Sequence, residues 1–203
     1  MTKVLIIRSS AGGVASVSNQ LIDQLVTDWG ASPADVAVRD LDATPIPHLT
    51  SQTLGALKGS GANEAEAAAL GLSDALVAEV QAADVLVIGA PMYNFGIPST
   101  LKAWFDHVLR AGVTFRYGAA GPEGLVTGKR AVVVETRGGI YTGGAPAAVM
   151  DAQEPHLRTM LGFIGLTDVT FVRAEGLAMD AAAGIAAARA ALPSAALGLL
   201  AAA

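Results

Sequence analysis

Short apolar runs alternate along the chain with longer stretches in which apolar residues recur every three or four positions. The runs are four to six residues long and rich in valine, leucine and isoleucine, which is typical of strands buried on both faces of a parallel sheet. Five strands are therefore predicted, over Lys3–Arg8, Asp35–Arg39, Asp84–Gly89, Arg130–Glu135 and Val169–Val172.

The stretches between the runs predict helices. Leu21, Ile22 and Leu25 recur at helical spacing up to Trp29, and Gly30 is a typical residue to end the helix. Further helices are predicted over Ser51–Ala82 with a break at Gly59–Gly61, over about Ser99–Arg110, over about Ala147–Leu161, and in the alanine-rich tail from Ala181, which is expected to form a surface helix with a frayed end. The polar, glycine-rich segment Ala111–Thr127 is predicted to be a loop.

Strands that alternate with helices build βαβ units with right-handed crossovers. The predicted fold class is therefore α/β, a flavodoxin-like, doubly wound, five-stranded parallel sheet in the order 2-1-3-4-5 with helices on both faces. The chain shows no internal repeat and no linker-like change in composition, so residues 1–203 are expected to form a single domain.

Hydropathy bears on the compartment. The chain has 203 residues, 52% of them hydrophobic, and a mean hydropathy of +0.48. No apolar run is long enough to span a membrane, and strand-like sequence begins as early as Lys3, so neither a membrane span nor a signal peptide is expected. We therefore expect a cytoplasmic protein.

Charge and residue usage exclude further classes. A net charge of −5 lacks the basic surface that nonspecific nucleic-acid binding requires. The chain has no cysteine, which excludes disulfides, thiolate metal sites and thiol nucleophiles. The three histidines, His48, His107 and His156, lack the spacing of metal ligands, so no metal site is expected. His107 lies within a helical pattern, where a structural role is expected.

The first candidate binding segment, Ser9–Asn19, joins the first strand to the first helix. Ser18 is predicted to cap this helix, whose unpaired N–H groups and partial positive charge suit a phosphate. Ser10 and Ser16 add further hydroxyl donors. The segment contains no lysine and matches neither G-x-x-x-x-G-K-[ST] nor G-x-G-x-x-G, so a single phosphate fits better than a nucleoside triphosphate or a dinucleotide. An ordinary polar turn with a helix cap is the alternative.

Two further segments follow predicted strands. Residues 90–98 place Met92, Tyr93 and Phe95 in an irregular loop that can hold a flat aromatic cofactor through side chains and backbone N–H groups. Thr136–Gly139 follows the fourth strand, and its glycines allow close backbone approach. Each segment could also be a purely structural turn. The carboxyl ends of strands one, three and four are neighbours in this sheet order, so the three segments are expected to meet at one ligand site.

These segments also carry a resemblance to a known family. The chain resembles the FMN-dependent NADH azoreductases, a family of flavodoxin-like quinone and azo reductases, over nearly its whole length. The resemblance is strongest in Ala90–Phe95, Arg110–Tyr117, Gly121–Leu125, Arg137–Ile140 and Leu161–Gly165. It implies a bound FMN cofactor, NADH or NADPH as electron donor, quinones or azo compounds as acceptors, and a homodimer in which each subunit completes the other's active site.

The resemblance also implies which residues bind FMN. Ser10, Ser16, Val17 and Ser18 would hold the ribityl phosphate, Met92, Tyr93, Asn94 and Phe95 would contact the isoalloxazine ring, and Thr136, Arg137, Gly138 and Gly139 would line its pyrimidine edge. Val17 stands where the family often has glutamine, and Ala15 stands where an aromatic residue is common. No catalytic side chain is implied, because hydride transfer takes place at N5 of the flavin.

Other functions are compatible with parts of the pattern. A flavodoxin-like electron carrier without direct NADH oxidation is the main alternative, although carriers tend to be shorter and more acidic. A phosphodiesterase would need a metal or a nucleophile–base pair, and the sequence offers neither. A flavin-free binding module would need neither the serines nor the aromatic loop. The proton donor stays open between Tyr93, Tyr141 and water, and Phe115, Tyr117 and Phe163 could line a substrate pocket or pack in the core.

Overall fold

The computed structural model describes residues 2–30, 32–58 and 63–200. The strands in these ranges are β1 (Val4–Arg8), β2 (Val36–Asp40), β3 (Val85–Pro91), β4 (Phe115–Gly118), β5 (Gly121–Gly124), β6 (Arg130–Thr136) and β7 (Asp168–Ala174). Five parallel strands form the central sheet in the order β2-β1-β3-β6-β7. Because β6 and β7 are the predicted fourth and fifth strands, the predicted order 2-1-3-4-5 is confirmed.

Helices cover both faces of the sheet, as predicted. They are α1 (Val17–Trp29), α2 (Glu64–Ala82), α3 (Ser99–Val108), α4 (Glu154–Ile164) and α5 (Ala181–Leu200). The alternating side chains of β1 illustrate the division: Val4 and Ile6 belong to the core with α1 and α5, whereas Leu5 and Ile7 belong to the core with α2, α3 and α4. Among the helices described, none is long and apolar enough to cross a membrane.

The alanine-rich tail forms α5, and one side of this helix is part of the core. Ala188 and Leu192 are fully buried in the cluster that α5 shares with α1. The small alanine side chains allow the two helices to approach each other closely. The frayed end that we expect concerns the last residues of the chain, and residues 201–203 lie outside the described ranges.

The prediction of a plain loop over Ala111–Thr127 is wrong, because this segment contains an antiparallel hairpin made of β4 and β5. Its strands are only four residues long and carry glycines, so they show no alternating pattern. Side-chain contacts hold the hairpin. Arg116 donates two hydrogen bonds to Glu123 across the strands, at 2.8 and 3.0 Å, and the Phe115 ring packs 4.6 Å from that of Phe163.

The predicted helix over Ser51–Ala82 begins only at Glu64. Asn63 caps it, since its side-chain oxygen accepts the N–H of Glu66 at 2.9 Å. Residues 51–55 form turns, and a short 3-10 helix follows over Ala56–Lys58. The predicted break at 59–61 lies outside the described residues.

The predicted helix over Ala147–Leu161 is divided into a 3-10 helix over Pro146–Met150 and the helix α4. Asp151 explains the division, because its carboxylate accepts the N–H groups of Gln153 and Glu154 at 2.9 and 3.1 Å. A carboxylate that pairs with free N–H groups in this way starts a new helix.

Candidate functional site

The segment between β1 and α1 forms a compact turn at the carboxyl end of β1. Ser16, rather than the predicted Ser18, caps α1: its Oγ accepts the N–H of Asn19 at 3.2 Å. Ser18 lies in the first turn of the helix, where its hydroxyl is 3.0 Å from that of Ser16. Both residues are good caps, and the apolar pattern that begins at Leu21 does not distinguish a start at one from a start at the other.

This turn presents unpaired backbone donors. The N–H groups without an acceptor among the described residues are those of Gly13, Val14, Val17 and Ser18. The side chain of Val17 packs against the core, so this residue offers only its backbone to a ligand. Together with the Ser10, Ser16 and Ser18 hydroxyls and the positive end of α1, these donors can bind a phosphate.

A tight turn follows β3, the neighbouring strand. Tyr93 and Gly96 exchange two backbone hydrogen bonds, at 3.0 and 3.1 Å, which places Asn94 and Phe95 at the tip with φ values of +47° and +72°. The left-handed region costs a phenylalanine about 1–3 kcal/mol, and such strain concentrates at functional sites. The N–H groups of Asn94 and Phe95 have no acceptor within the described chain, and the Phe95 residue is 47% exposed.

Hydrogen bonds join the three predicted segments. The Tyr93 hydroxyl oxygen accepts the N–H of Ala11 at 3.0 Å and lies 3.4 Å from the Ser10 hydroxyl. On the other side, the N–H of Met92 donates to the carbonyl of Thr136 at 2.8 Å. The turn between β1 and α1, the turn after β3 and the loop after β6 therefore meet at one edge of the sheet.

The loop after β6 is fixed in place while two of its N–H groups stay free. The carbonyls of Gly138 and Gly139 accept hydrogen bonds from the N–H groups of Ala178 and Gly176, at 3.0 and 2.8 Å. The N–H groups of Gly138 and Gly139 themselves find no acceptor in the described residues. This loop can therefore donate hydrogen bonds to an oxygen or nitrogen of a ligand.

Arg137 differs from its neighbours in this loop because its side chain is completely buried. Its Nη2 donates to Glu135 at 2.7 Å, and its Nε donates to the amide oxygen of Gln153 at 2.9 Å. Its backbone N–H is also taken, by the carbonyl of Ala174 at 2.8 Å. The side chain therefore faces the interior, and Arg137 supports the loop from behind.

The surroundings of Arg137 tie several elements together. Gln153 at the start of α4 donates to the carbonyl of Ala90 in β3 at 2.6 Å. Glu175, after β7, accepts from Arg137 at 3.2 Å and from the N–H of Tyr141 at 2.9 Å, and it also accepts from the Thr142 hydroxyl. One buried arginine thus connects the ends of β3, β6 and β7 with the glycine loop.

Two carboxyl groups near Arg137, those of Glu135 and Glu154, have pKa values shifted in opposite directions. Burial raises the pKa of Glu135 to about 8, although the positive charges of Arg137 and Arg173 act in the opposite direction. Burial alone would also raise the pKa of Glu154, but hydrogen bonds from Arg173 and Arg158 outweigh it and lower this pKa to about 2. Glu135 therefore keeps its proton at neutral pH, and Glu154 is ionised.

Sequence reasoning did not identify Glu135, Gln153 and Glu175 as part of this site. The one available signal was Glu135, a charged residue at the end of the apolar run Ala131–Val134. The structural role predicted for His107 is confirmed: the ring is buried away from the site, with Nε2 3.0 Å from the carbonyl oxygen of Pro47.

The aromatic residues of the hairpin have different environments. Phe115 is buried between Phe163 and Tyr117, at 4.6 and 5.6 Å between ring centroids, so it packs in the interior. Tyr117 is 75% exposed and is free to meet a ligand or another protein. In the described residues, no group of three or more His, Asp or Glu could hold a metal ion.

Proteins with the same architecture are known. An FMN-dependent NADH:quinone oxidoreductase 2 of Pseudomonas fluorescens is 56% identical over 181 residues, which cover 87% of this chain and 89% of that protein. An FMN-dependent NADH:quinone oxidoreductase of Hyphomonas neptunium is 52% identical over 177 residues, covering 86% of this chain and 85% of that protein. A crystal structure of an FMN-dependent NADH-azoreductase from Bacillus anthracis in complex with FMN is 27% identical, with a TM-score of 0.88 and coverage of 98% and 99% of the two chains.

The family assignment rests on nearly the whole chain. A family model described as the flavodoxin-like fold matches residues 2–195. The strand order and the position of the candidate site at the carboxyl ends of β1, β3 and β6 agree with this match. The chain belongs to the flavodoxin-like fold family, as its sequence motifs predict.

Proposed function

We propose that this protein is an FMN-dependent NADH:quinone oxidoreductase that also reduces aromatic azo compounds. The observation that carries the proposal is the convergence of unpaired backbone N–H groups on three loops at one edge of the sheet. The proposed reaction is inferred from the relatives, since two proteins more than half identical to this chain are named as FMN-dependent NADH:quinone oxidoreductases. The reduction of azo compounds is inferred from the structural similarity to the azoreductase solved in complex with FMN.

The donors on the three loops match the parts of FMN. The turn before α1, with Ser10, Ser16, Val17 and Ser18, binds the phosphate. The turn after β3, with Met92, Tyr93, Asn94 and Phe95, provides apolar surface and two N–H donors for the isoalloxazine ring. Thr136 at the end of β6 and Gly138 and Gly139 in the loop after it meet the pyrimidine edge, and Arg137 holds this loop from the interior.

The protein supplies position and electrostatics, and no side-chain nucleophile is needed. When bound, FMN would supply the redox chemistry for two-electron transfer from NADH to a quinone. Gly138 and Gly139 contribute fixed N–H dipoles that stabilise the negative charge developing at the pyrimidine edge. Asn94 and Phe95 contribute the corresponding donors on the other loop, held in position by the strained turn.

Changing both Ser16 and Ser18 to alanine is expected to weaken FMN binding. Each lost hydroxyl removes about 0.5–1.5 kcal/mol, and more where the phosphate charge strengthens the bond, so Kd rises about tenfold or more. Fluorescence titration of the FMN-free protein with FMN measures this change.

Two controls separate binding from folding. Ser16 caps α1, so its loss also lowers stability by about 1 kcal/mol, whereas Ser18→Ala leaves the cap in place. Ser194→Ala changes an exposed serine on α5 and should leave Kd unchanged. If the double variant binds FMN as tightly as Ser194→Ala does, the phosphate assignment is wrong.

We also propose that a second copy of the chain completes the site. Exposed apolar side chains lie on or beside the loops that would bind FMN: Phe95, Ile140, Val149 and Met150. Such a patch is typical of protein–protein interfaces. Sedimentation equilibrium should give a dimer at micromolar concentration. Val149→Asp, at a 92% exposed position, should dissociate the dimer, and Val38→Asp on the edge strand β2 should not. A monomeric parent protein would refute this assembly.

The proposed substrates are flat aromatic quinones and azo compounds, and the proposed compartment is the cytoplasm. The exposed rings of Tyr93 and Phe95 favour planar acceptors over extended aliphatic ones. The family resemblance and the absence of cysteine support the cytoplasmic location.

A further inference from the structure

The ionic cluster around Arg137 contains one more acidic than basic side chain. Its basic members are Arg137, Arg158 and Arg173, and its acidic members are Glu135, Asp151, Glu154 and Glu175. Arg137 is within 3.5 Å of all four carboxylates, and the other two arginines pair mainly with Glu154. The centre of the cluster, Arg137 and Glu135, is completely buried, and an unbalanced charge there is costly, so one carboxylate is expected to carry a proton.

Glu135 is the carboxylate of this cluster that is expected to carry the proton. It is completely buried, and its Oε1 has no hydrogen-bond partner in the described chain. The charged groups that face it are Arg137 at 2.7 Å, Arg173 on β7 at 3.7 Å, and Glu154 on α4, whose negative charge disfavours a second one nearby. Glu154 and Glu175, by contrast, are partly exposed to solvent, and hydrogen bonds lower the pKa of each carboxyl.

The cluster lies directly behind the loop that presents the Gly138 and Gly139 donors. Arg137 precedes these glycines in the chain, and Glu135 precedes Thr136, whose carbonyl is bonded to Met92. The charge of the cluster therefore acts on the edge of the site formed by Gly138 and Gly139, which would hold the pyrimidine end of FMN.

We propose that Arg137 and Glu135 are positioning residues for the pyrimidine end of FMN: Arg137 fixes the glycine donors, and a protonated Glu135 leaves the arginine's positive charge available to stabilise the reduced cofactor. This inference rests on the proposed function, because it requires FMN at this site. When Glu135 loses its proton, its negative charge offsets that of Arg137, and the reduced cofactor is held less tightly relative to the oxidised one. The pKa of about 8 places this change just above neutral pH.

The two-electron midpoint potential of bound FMN between pH 6 and 9 tests the proposal, with wild type compared to Glu135→Gln. Glutamine is neutral at every pH, so the two proteins should have the same potential at pH 6–7. Above pH 8 wild type should prefer reduced over oxidised FMN about tenfold less than the variant does. Its midpoint potential should then lie about 30 mV below that of the variant, since a tenfold change corresponds to about 30 mV for a two-electron couple.

Glu123→Gln is the matched control. Glu123 is an exposed carboxylate on the hairpin, outside this cluster, and its pKa is lowered by the hydrogen bond from Arg116, so its removal should give no pH-dependent difference from wild type. A purely structural role for Glu135 would likewise give no pH-dependent difference. A constant difference between wild type and Glu135→Gln, or a difference already present at pH 6, would overturn the proposal.

A second measurement does not depend on the variant folding or on FMN. Carbon-13 NMR of wild-type protein labelled at the glutamate side-chain carboxyl should show one resonance that titrates near pH 8. The absence of such a resonance would overturn the proposal even if Glu135→Gln cannot be purified. If the protein binds no FMN, the proposed function fails, while the NMR titration still decides whether Glu135 holds the proton.

Discussion

Replacing Arg137 by methionine is expected to lower the free energy of unfolding by about 3–5 kcal/mol, because removing one partner of a buried ionic cluster leaves uncompensated charges. The guanidinium is completely buried and lies within 3.5 Å of Glu135, Asp151, Glu154 and Glu175. Methionine can fill the space but cannot donate to these carboxylates or to the Gln153 amide oxygen. Urea unfolding of the FMN-free protein at pH 7 measures the loss.

Arg116→Met is the matched control for this change. Arg116 likewise pairs with a carboxylate, donating two hydrogen bonds to Glu123, but both side chains are exposed on the hairpin. Water screens this pair, so its loss should hardly change the unfolding midpoint. If Arg137→Met lowered the free energy of unfolding no more than Arg116→Met does, the buried carboxylates would not need the arginine as their partner.

Changing Gly124 to alanine is expected to cost about 1–3 kcal/mol or more, because the hairpin packs backbone against backbone at this point. A Cβ on Gly124 would lie 2.1 Å from the nitrogen of Gly165 and 2.3 Å from the carbonyl carbon of Ile164. Neither atom belongs to a side chain that could rotate away, so the hairpin must lift from the end of α4. Lifting it would break the bond from the Val126 N–H to the carbonyl of Ile164, now 2.8 Å. Thermal unfolding measures the cost, and hydrogen exchange at Val126 locates it.

Gly118→Ala tests whether this cost belongs to the contact with α4. Gly118 lies in the same hairpin, but a Cβ there would be 3.6 Å from the carbonyl oxygen of Gly121, an ordinary contact. This variant should keep nearly the parent stability and the slow exchange of Val126. Equal losses for the two variants would indicate that glycine is needed for hairpin flexibility and not for its packing.

The apolar runs were sufficient to predict the sheet, and its topology indicates where the candidate site lies. Strands such as Val85–Pro91 are buried on both faces, so every residue is apolar or small and the signal is strong. Sheet order then brings the three loops together, since ligand sites of open α/β sheets lie at the carboxyl ends of neighbouring strands. The same topology places the backbone donors of Gly138 and Gly139 at this edge of the sheet.

Side-chain direction and short elements could not be predicted in this way. Arg137 lies between Thr136 and Gly138, and only the packing of α4 and the end of β7 around it turns its guanidinium inward. The hairpin has strands of four residues whose stability comes from contacts with Phe163 and Gly165, which are distant in sequence. Such contacts leave no periodic pattern along the chain.

We expect the three loops to bind FMN and NADH to reduce it there. The most direct test is the visible absorption spectrum of the purified protein with FMN, followed by anaerobic addition of NADH and then of a quinone. We expect a protein-bound flavin band that NADH bleaches and that the quinone restores. Bound flavin that NADH cannot bleach would point to an electron carrier, and a protein that binds no flavin would contradict the account as a whole.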